Sequence, residues 1–286
     1  MVVGAGAGLS AAAGLRYDGP EFFREFADFV EKYGISDLYS SSFYPFETEE
    51  EYWACWARHI DFARYRPGAA PLYGQLLGLL RGKDYFVVTT NVDGQFRKTG
   101  FDAQRLFEVQ GDYAFLQCSK GCHDTLYYNE RLVKEMVAQT RDCQIPSHLV
   151  PRCPRCGEPM AVHVRVDEHF VQNAQWEEAY QRYADFLSGI GPKERVVLLE
   201  LGVGFNTPSI IRLPFEQMAQ ERRNVTLIRV NKENVACLLN VKNCLLIRGE
   251  IAELFAENGD APAAECASPV AENVSTAVKS GRNVAV

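Results

Sequence analysis

The stretch Thr89-Thr90-Asn91-Val92-Asp93-Gly94-Gln95-Phe96 follows directly on the apolar run Tyr85-Phe86-Val87-Val88. An apolar run that breaks into polar residues is typical of a buried parallel strand, and open α/β sheets bind ligands at the carboxyl ends of such strands. We therefore predict that this strand brings Asn91 and Asp93 into a ligand-binding crevice. Asn-x-Asp-Gly taken alone favours a plain turn, so the prediction depends on the rest of the chain.

The composition is that of an ordinary globular protein. The chain has 286 residues, of which 47% are hydrophobic and 23% charged, enough for one large domain or a large and a small one. No apolar run reaches the about 18 residues that span a bilayer, and Met1-Val2-Val3 lacks the basic start of a signal peptide. We predict a cytoplasmic protein without a membrane partner. The net charge of −7 and the lack of a long basic block argue against nucleic acid.

A glycine-rich motif opens the chain as Val2-Val3-Gly4-Ala5-Gly6-Ala7-Gly8-Leu9-Ser10-Ala11-Ala12-Ala13-Gly14. It predicts a strand, a glycine turn and a helix start, which together can hold a phosphate; a turn used only for tight packing is the alternative. Residues 22–29, where a dehydrogenase carries a ribose-binding acid, have helical periodicity instead, which argues against an ordinary dehydrogenase. The strand before the turn is short, so either the sheet edge is clipped or native residues precede Met1.

The remaining pattern alternates helices and strands. We predict helices at residues 21–33, 49–66, 72–80, 176–190, 212–224 and 251–258, and further strands within residues 105–109, 194–201, 225–230 and 245–247. Strands that end in Gly or Asn with helices between them predict an α/β fold with a doubly wound, parallel, Rossmann-like sheet. Trp53, Trp56 and Ile60 lie on one face of a helical insertion (about 20–84) and predict core or a groove wall. Residues 259–286 lack periodicity and predict a disordered tail.

Four of the nine cysteines are clustered as Cys118-x-x-x-Cys122 and Cys153-Pro154-Arg155-Cys156, with thirty residues between the pairs. Two close pairs of thiolates supply the four ligands of a structural zinc. Adjacent His123 could replace one thiol, and four free thiols are the alternative. We predict a small zinc-binding module at 113–160, inserted into a Rossmann-like domain formed by residues 1–112 and 161–258. A closed four-cysteine site leaves no position for substrate, so this metal stabilises the fold.

The order of motifs resembles the sirtuin (Sir2) family from Val2 to Asn258. Gly4 to Gly14 is similar to its phosphate loop, and Thr89 to Gly94 to its Thr-Gln-Asn-Ile-Asp-Gly nicotinamide-pocket motif. Three more motifs match in order: Glu108-Val109-Gln110-Gly111 stands for Glu-Leu-His-Gly, Gly202-Val203-Gly204-Phe205-Asn206-Thr207 for Gly-Thr-Ser, and Val230-Asn231 for the ribose-recognising strand end. The resemblance implies NAD as cosubstrate.

Three departures from the family bear on the reaction. The family's general-base histidine is Gln110 here, and an amide cannot titrate near neutral pH. The Pro-Asp-Phe-Arg segment is absent, with Tyr17 as a stand-in for its aromatic cover, and residues 161–168 lack the Val-x-Phe-Gly-Glu peptide-binding strand. The combination resembles the divergent, macrodomain-linked sirtuin branch (class M). That branch implies protein mono-ADP-ribosyltransferase activity on a lipoylated carrier related to the glycine-cleavage H protein, with a macrodomain hydrolase acting on the product.

The resemblance also implies which residues do what. The catalytic residues would be Asn91, Gln110 and Asp93, with Asp93 on the nicotinamide carboxamide. The NAD-binding residues would be Gly4, Ala5, Gly6, Ser10, Gly14, Thr90, Asn91, Asp93, Gly202, Gly204, Asn206, Asn231 and Glu250. Two other functions stay open: an NAD-dependent lysine deacylase in which water replaces the histidine, and an inactive NAD-sensing module.

Overall fold

The structure, a computed structural model, describes residues 1–255; the tail predicted at 259–286 lies outside this range. Its main feature is a six-stranded sheet in which all neighbours run parallel, in the order β3-β2-β1-β7-β8-β9. The strands are β1 (Val2–Ala5), β2 (Phe86–Thr89), β3 (Leu106–Glu108), β7 (Val196–Leu201), β8 (Val225–Asn231) and β9 (Cys244–Arg248). Apolar runs such as Phe86-Val87-Val88 are buried in the centre of the sheet, as expected for strands covered on both faces.

Helices cover both faces of this sheet. On one face, α1 (Ala7–Ala12), α6 (Pro71–Leu80) and a closing 3₁₀ helix (Ile251–Phe255) form a core around Leu9 and Tyr73. On the other face, α9 (Ala174–Ser188) and α10 (Arg212–Glu221) pack on the sheet around Phe107 and Phe215. The prediction of a doubly wound parallel sheet is confirmed. Within residues 1–255, no helix combines the length and the apolar character that crossing a bilayer requires.

The short strand β1 lies in the centre of the sheet and pairs with both β2 and β7. It is not a clipped edge, so that explanation of its shortness is wrong. Its Gly4 leaves no room for a side chain: a Cβ added there would lie 2.5 Å from Ile211 and 2.7 Å from Phe215. Gly4 thus allows α10 to approach the sheet closely.

Glycines also bring the turn after β1 into contact with the end of β7. A Cβ on Gly6 would lie 2.7 Å from the carbonyl oxygen of Gly202, and one on Gly202, whose φ is +62°, would lie 2.3 Å from the nitrogen of Leu9. The amides of Gly6 and Gly8 donate to the carbonyl oxygens of Leu201 (3.0 Å) and Gly202 (2.9 Å). Tight packing, the alternative raised by the sequence, therefore explains Gly6 and Gly8, whose N–H groups already have partners.

The helical insertion follows α1 and differs from prediction at two places. Residues 21–33 form two helices, α2 (Pro20–Glu25) and α3 (Ala27–Tyr33), followed by the short α4 (Leu38–Ser41). α5 (Glu49–Ile60) ends in a π-helix at Asp61–Tyr65 rather than continuing as an α-helix to residue 66. Trp53, Trp56 and Ile60 are buried in the core of the insertion, as predicted.

A second, smaller sheet carries the four-cysteine module. Its strands run in the order β5-β4-β6 and pair antiparallel, with β4 (Gly111–Cys118) in the centre, β5 (Tyr127–Tyr128) and β6 (Met160–Val164). α8 (Glu130–Gln139) packs on α5 of the insertion. β6 extends four residues past the module boundary predicted at 160. Residues 161–164 thus form a strand although the peptide-binding motif is absent: Val162 pairs with Leu116 and Val164 with Gly111 of β4.

Candidate active site

The end of β2 meets the helix after β1 and helix α6 in a buried hydrogen-bonded cluster. The Asn91 amide nitrogen donates to the carbonyl oxygen of Gly6 (3.0 Å), to Ser10 Oγ (3.1 Å) and to the Tyr73 hydroxyl (3.2 Å). Ser10 Oγ in turn donates to Asp93 Oδ2 (2.5 Å) and contacts the Tyr73 hydroxyl (2.9 Å). The structure therefore brings together Asn91, Asp93 and Ser10, which were all predicted as NAD-binding residues, and adds Tyr73.

These contacts assign the nitrogen and the oxygen of the Asn91 side-chain amide. A carbonyl oxygen can only accept, so the group facing Gly6 is the NH₂. The oxygen Oδ1 of Asn91 takes part in no hydrogen bond among residues 1–255. Asn91, which is 7% exposed, thus keeps a free acceptor in an otherwise satisfied buried cluster.

Asp93 is buried at the centre of this cluster. Its Oδ1 accepts from the backbone nitrogen of Gln95 (3.0 Å) while Oδ2 accepts from Ser10. Burial raises the pKa of the Asp93 carboxyl above its ordinary range, and these hydrogen bonds oppose the shift. Burial first and then the charge of Asp93 raise the pKa of the Tyr73 hydroxyl, which therefore stays protonated.

Gln110 lies in a tight turn between β3 and β4. Its carbonyl oxygen accepts from the backbone nitrogen of Arg165 (3.1 Å), and the residue is half-buried. The next residue, Gly111, has a φ of +94°, and a Cβ there would lie 2.1 Å from the carbonyl oxygen of His163. Only glycine fits this turn, which brings β6 against Gln110.

A cleft of about 390 Å³ opens beside this turn, lined by α9, the end of β3 and the small sheet. Glu108, Arg97 and His163 are among the polar residues that line it. The Nε2 atom of His163 is 3.0 Å from the carbonyl oxygen of Val171, which makes it the donor and the protonated nitrogen. Burial lowers the pKa of His163, so this imidazole is neutral.

Glu108 is a buried acid that lines this cleft. Burial raises its pKa from its ordinary value of 4.5 to about 7, although Arg97 Nε lies 2.6 Å from its carboxylate. The effect of desolvation exceeds that of the positive charge because the Glu108 side chain is only 9% exposed, whereas that of Arg97 is 52% exposed. Glu108 therefore exchanges its proton near neutral pH.

The raised pKa of Glu108 predicts a stability change with pH. Folded Glu108 holds its proton more tightly than the unfolded chain, so the free energy of unfolding falls as pH rises from about 4.5 to about 7. We expect Glu108→Gln to remove this loss and to gain about 1–3 kcal/mol relative to wild type between pH 5 and pH 8. Urea unfolding at both pH values measures it. Glu178→Gln, in the same cleft but 70% exposed, is the control; a Glu108→Gln effect equal at both pH values would contradict the shift.

The residues predicted to contact the adenosine lie at or after the carboxyl ends of strands β7, β8 and β9. Asn231, at the end of β8, donates through Nδ2 to the carbonyl oxygen of Val203 (3.0 Å). Asn231 and Glu250 line a cleft of about 140 Å³ with Gly8 and Arg16. The other predicted cofactor residues are placed as follows: Ala5 ends β1, Thr90 donates its N–H to Ala5, Gly14 follows α1 with φ +90°, and Gly204 and Asn206 are exposed after β7. Gly4, packed on α10, is away from both clefts.

A buried network of four charged residues was not predicted. Arg229 forms a bidentate pair with Glu200 (2.8 and 2.9 Å) and contacts Glu216 (2.7 Å), and all these side chains and that of Arg212 are 0% exposed. Arg212 donates to the carbonyl oxygen of Val203 and its guanidinium lies 4.1 Å from the Phe205 ring centroid. The network supports the loop after β7. The sequence does carry a signal for this network. Glu200 is the single acid of the apolar strand β7, and Arg229 is the single base at the paired position of β8.

The four cysteines of the module come together as predicted. The sulfurs of Cys118, Cys122, Cys153 and Cys156 all lie within 4.8 Å of one another, and the described residues hold no other such group. The Cys118–Cys156 and Cys122–Cys153 sulfur distances are 3.6 and 3.7 Å. Tetrahedral zinc with about 2.3 Å Zn–S bonds requires sulfurs about 3.8 Å apart. The residues present therefore fit a zinc ion.

His123 lies beside this cluster. Its Nδ1 is 3.0 Å from the Cys122 sulfur, and its Nε2 is 2.8 Å from the Tyr127 hydroxyl. An imidazole protonated on Nδ1, with Nε2 accepting from the Tyr127 hydroxyl, can donate to the Cys122 sulfur as an outer-shell contact to a metal ligand. The four cysteines could therefore hold a metal ion without His123, which contacts one of them.

Comparisons with known proteins give two curated relatives above one third identity. The chain is 36% identical over 234 residues to "Protein ADP-ribosyltransferase" of Staphylococcus aureus, covering 82% of this chain and 74% of the relative. It is 35% identical over 240 residues to a "Probable bifunctional ADP-ribose hydrolase/ADP-ribosyltransferase" of Fusarium oxysporum f. sp. cubense, covering 80% of this chain and 40% of that protein. No family model matches the chain.

More distant likeness extends to deacylases and to solved structures. An "NAD-dependent protein deacylase" of Aeropyrum pernix is 28% identical over 147 residues, 51% of this chain and 48% of that one. A crystal structure of a Sir2 homologue–NAD complex superimposes with a TM-score of 0.54 at 16% identity, covering 89% of this chain and 85% of that chain. A mutant Sir2 homologue with ADP-ribose gives 0.52 at 15% identity, with 89% and 88% covered. These structures share the fold.

Proposed function

The chain belongs to the sirtuin-type protein ADP-ribosyltransferases, and from this membership we propose how its residues cleave NAD and pass ADP-ribose to a protein. In this reaction the bond between nicotinamide and C1′ breaks and its electron pair leaves with nicotinamide. A side chain of the acceptor protein attacks C1′ and releases its proton to solvent. The product is a mono-ADP-ribosylated protein, and no general base on the enzyme is required.

The observation that carries the proposal is the orientation of Asn91. Its NH₂ is held by Gly6, Ser10 and Tyr73, so its free Oδ1 can face the ribose. A preoriented oxygen dipole beside C1′ stabilises the positive charge that develops there, and such fixed dipoles supply much of an enzyme's rate enhancement. We assign Asn91 this catalytic role.

Asp93 and Gln110 complete the proposed catalytic set. The Asp93 carboxylate, tied to Ser10 and Gln95, would accept from the nicotinamide carboxamide and hold the ring twisted for departure. Gln110, in the turn beside Gly111, would hydrogen-bond the ribose hydroxyls. Because its amide cannot take a proton, ADP-ribose is passed on without the ribose-hydroxyl chemistry of deacylation.

The remaining contacts of NAD are proposed with residues at or after the carboxyl ends of the parallel strands. Gly6, Ser10 and Gly202 would lie along the pyrophosphate, and Asn231, Glu250, Gly204 and Asn206 along the adenosine. Ala5, Gly14 and Thr90 would shape the backbone of the same crevice. Cys118, Cys122, Cys153 and Cys156 would hold the zinc, which stabilises the module and has no open position for chemistry.

For the acceptor we propose a lipoylated carrier protein related to the glycine-cleavage H protein. The resemblance to the macrodomain-linked branch supports it. A relative whose name joins ADP-ribose hydrolase and ADP-ribosyltransferase supports a macrodomain hydrolase as the enzyme that removes the modification. A site of four thiols suits a reducing compartment, so we propose that the reaction takes place in the cytoplasm.

The test uses NAD labelled in its adenylate phosphate. Incubated with the protein and a lysate of its own host, the label is expected in a protein band, with one nicotinamide released per label bound. The band should be absent with heat-inactivated enzyme and enriched when lipoylated carrier is added. Label that never becomes protein-bound, together with acyl-ADP-ribose released from an acyl-lysine peptide, would overturn the proposal.

A deacylase remains the second candidate, favoured by one observation. His163 is the one histidine that lines the 390 Å³ cleft, and it is neutral beside Gly111. If the protein deacylates peptides, His163→Gln should abolish that activity while leaving nicotinamide release intact. NAD binding by calorimetry without nicotinamide release over hours would instead identify an NAD-sensing module.

A further inference from the structure

Arg64 links the two turns that carry the proposed catalytic residues. It comes from the π-helix Asp61–Tyr65, and its side chain is 13% exposed. Its Nε is 2.7 Å from Asp112 Oδ1 and its Nη2 is 3.1 Å from Asp112 Oδ2. The Asp112 side chain is 8% exposed. This buried, bidentate pair fixes the plane and the direction of the guanidinium.

The guanidinium lies directly against the turn after β2. A Cβ added to Gly94 would lie 2.4 Å from Arg64 Cζ, and Gly94 has a φ of +68°. Gly94 follows Asp93 and is three residues from Asn91. Any larger residue at 94 would displace Arg64, so the position is glycine for two reasons, its backbone conformation and its contact with Arg64.

The partner of Arg64 belongs to the other turn. Asp112 is two residues after Gln110, and its Oδ1 also accepts from the backbone nitrogen of Ala114 (2.8 Å). The backbone nitrogen of Tyr113 donates to the carbonyl oxygen of Val92 (3.0 Å). The two turns are therefore joined once through the backbone and once through Arg64.

The end of the π-helix is itself fixed. Lys98 Nζ donates to the carbonyl oxygen of Arg64 and to that of Pro67 (3.0 Å). These are carbonyl groups that the end of a helix leaves without partners. π-helical turns are rare and are frequently found at functional sites. The segment therefore presents Arg64 from a fixed backbone.

We propose, resting on the proposed function, that Arg64 is a positioning residue that holds Gln110 and Asn91 in the arrangement needed for NAD cleavage. A buried ion pair costs desolvation energy and adds little net stability. Its bidentate geometry does restrict both turns. Arg64 acts through Asp112 and Gly94 and has no contact of its own with the reacting atoms in this assignment.

The first test separates turnover from binding. Arg64→Met should lower kcat for nicotinamide release by about 10²-fold, as expected for a displacement of about 1 Å at the reacting groups. KM for NAD should change by less than about 3-fold, because the adenosine end binds elsewhere. The kcat of Arg64→Lys should lie between those of wild type and Arg64→Met, since an ammonium group cannot form the bidentate pair with Asp112. Arg66→Met is the matched control: Arg66 lies on the same segment, is 43% exposed, and pairs with Glu25 and Asp61.

A double variant tests whether Arg64 acts through Gln110. In a Gln110→Ala background, Arg64→Met should cost about 10-fold instead of about 10²-fold, because one of the two groups it positions is gone. A full 10²-fold loss in that background, or wild-type kcat in Arg64→Met, would overturn the proposal. So would a rise in KM at unchanged kcat. If Arg64→Lys melts at the wild-type temperature, misfolding is excluded as the cause of its lower kcat.

Hydrogen exchange tests the positioning role of Arg64 without measuring turnover. Amides in both turns, residues 91–94 and 110–113, should exchange faster in Arg64→Met and at the wild-type rate in Arg66→Met. Unchanged protection of both turns would overturn the positioning role. Faster exchange in an enzyme whose wild type releases no nicotinamide would support it and place the failure in the proposed function.

Discussion

Asn91→Ala is expected to lower ADP-ribosyl transfer by about 10²–10³-fold, the loss typical of removing one oriented dipole from a charge-stabilising site. The substitution removes the free Oδ1 and leaves Ser10 and Tyr73 in contact with each other. NAD should still bind, because the predicted adenosine contacts at Asn231 and Glu250 are distant in the sheet. Labelled NAD with a purified acceptor gives the rate, and calorimetry gives the affinity.

Two comparisons make this result specific. Gln110→Ala should also lower transfer, by about 10-fold or more, since it removes a ribose contact and not the charge-stabilising group. Asn240→Ala changes an exposed asparagine outside the site and should retain the wild-type rate. Transfer by Asn91→Ala within about 3-fold of wild type would contradict the assigned role.

The second large effect is expected from loss of the metal. Cys153→Ser should abolish binding of one zinc per chain and lower the melting temperature by on the order of 10 °C, because the binding energy of a structural zinc is folding energy. Cys118 and Cys153 belong to the same buried core as Trp53 and Val133. Unfolding of the module would therefore also expose the core of the helical insertion.

Elemental analysis and thermal unfolding measure both parts of this prediction. Cys244→Ser, a half-buried cysteine outside the module, should retain full zinc content. His123→Ala should retain the four ligands but bind zinc about 10–100-fold more weakly, as for lost outer-shell contacts. Native protein in which a thiol reagent titrates all four module cysteines, with no metal released, would refute the site.

The parallel sheet and the cluster of four cysteines could be predicted because each depends on a local pattern. An apolar run such as Phe86-Val87-Val88 that ends in Asn91 shows where a buried strand stops. The spacing of Cys118, Cys122 and Cys153 suits a zinc site before any fold is known. Errors occurred at helix ends, such as the π-helix at Asp61–Tyr65, where the carbonyl oxygen of Arg64 accepts a hydrogen bond from Lys98 of a distant segment.

The strand ends, the four-cysteine module and the glutamine at 110 in place of a base are all visible in the amino-acid sequence. Only the tertiary structure placed Tyr73 on Ser10, 63 residues away, and Arg64 on Asp112, 48 residues away. It also buried Arg212 and Glu216 with the Arg229–Glu200 pair. A tyrosine or an arginine on a helix carries no local sign of its partner, because the partner is chosen by chain folding over long separations. Local patterns together with the family resemblance therefore gave the catalytic candidates, and the fold decided what holds them in place.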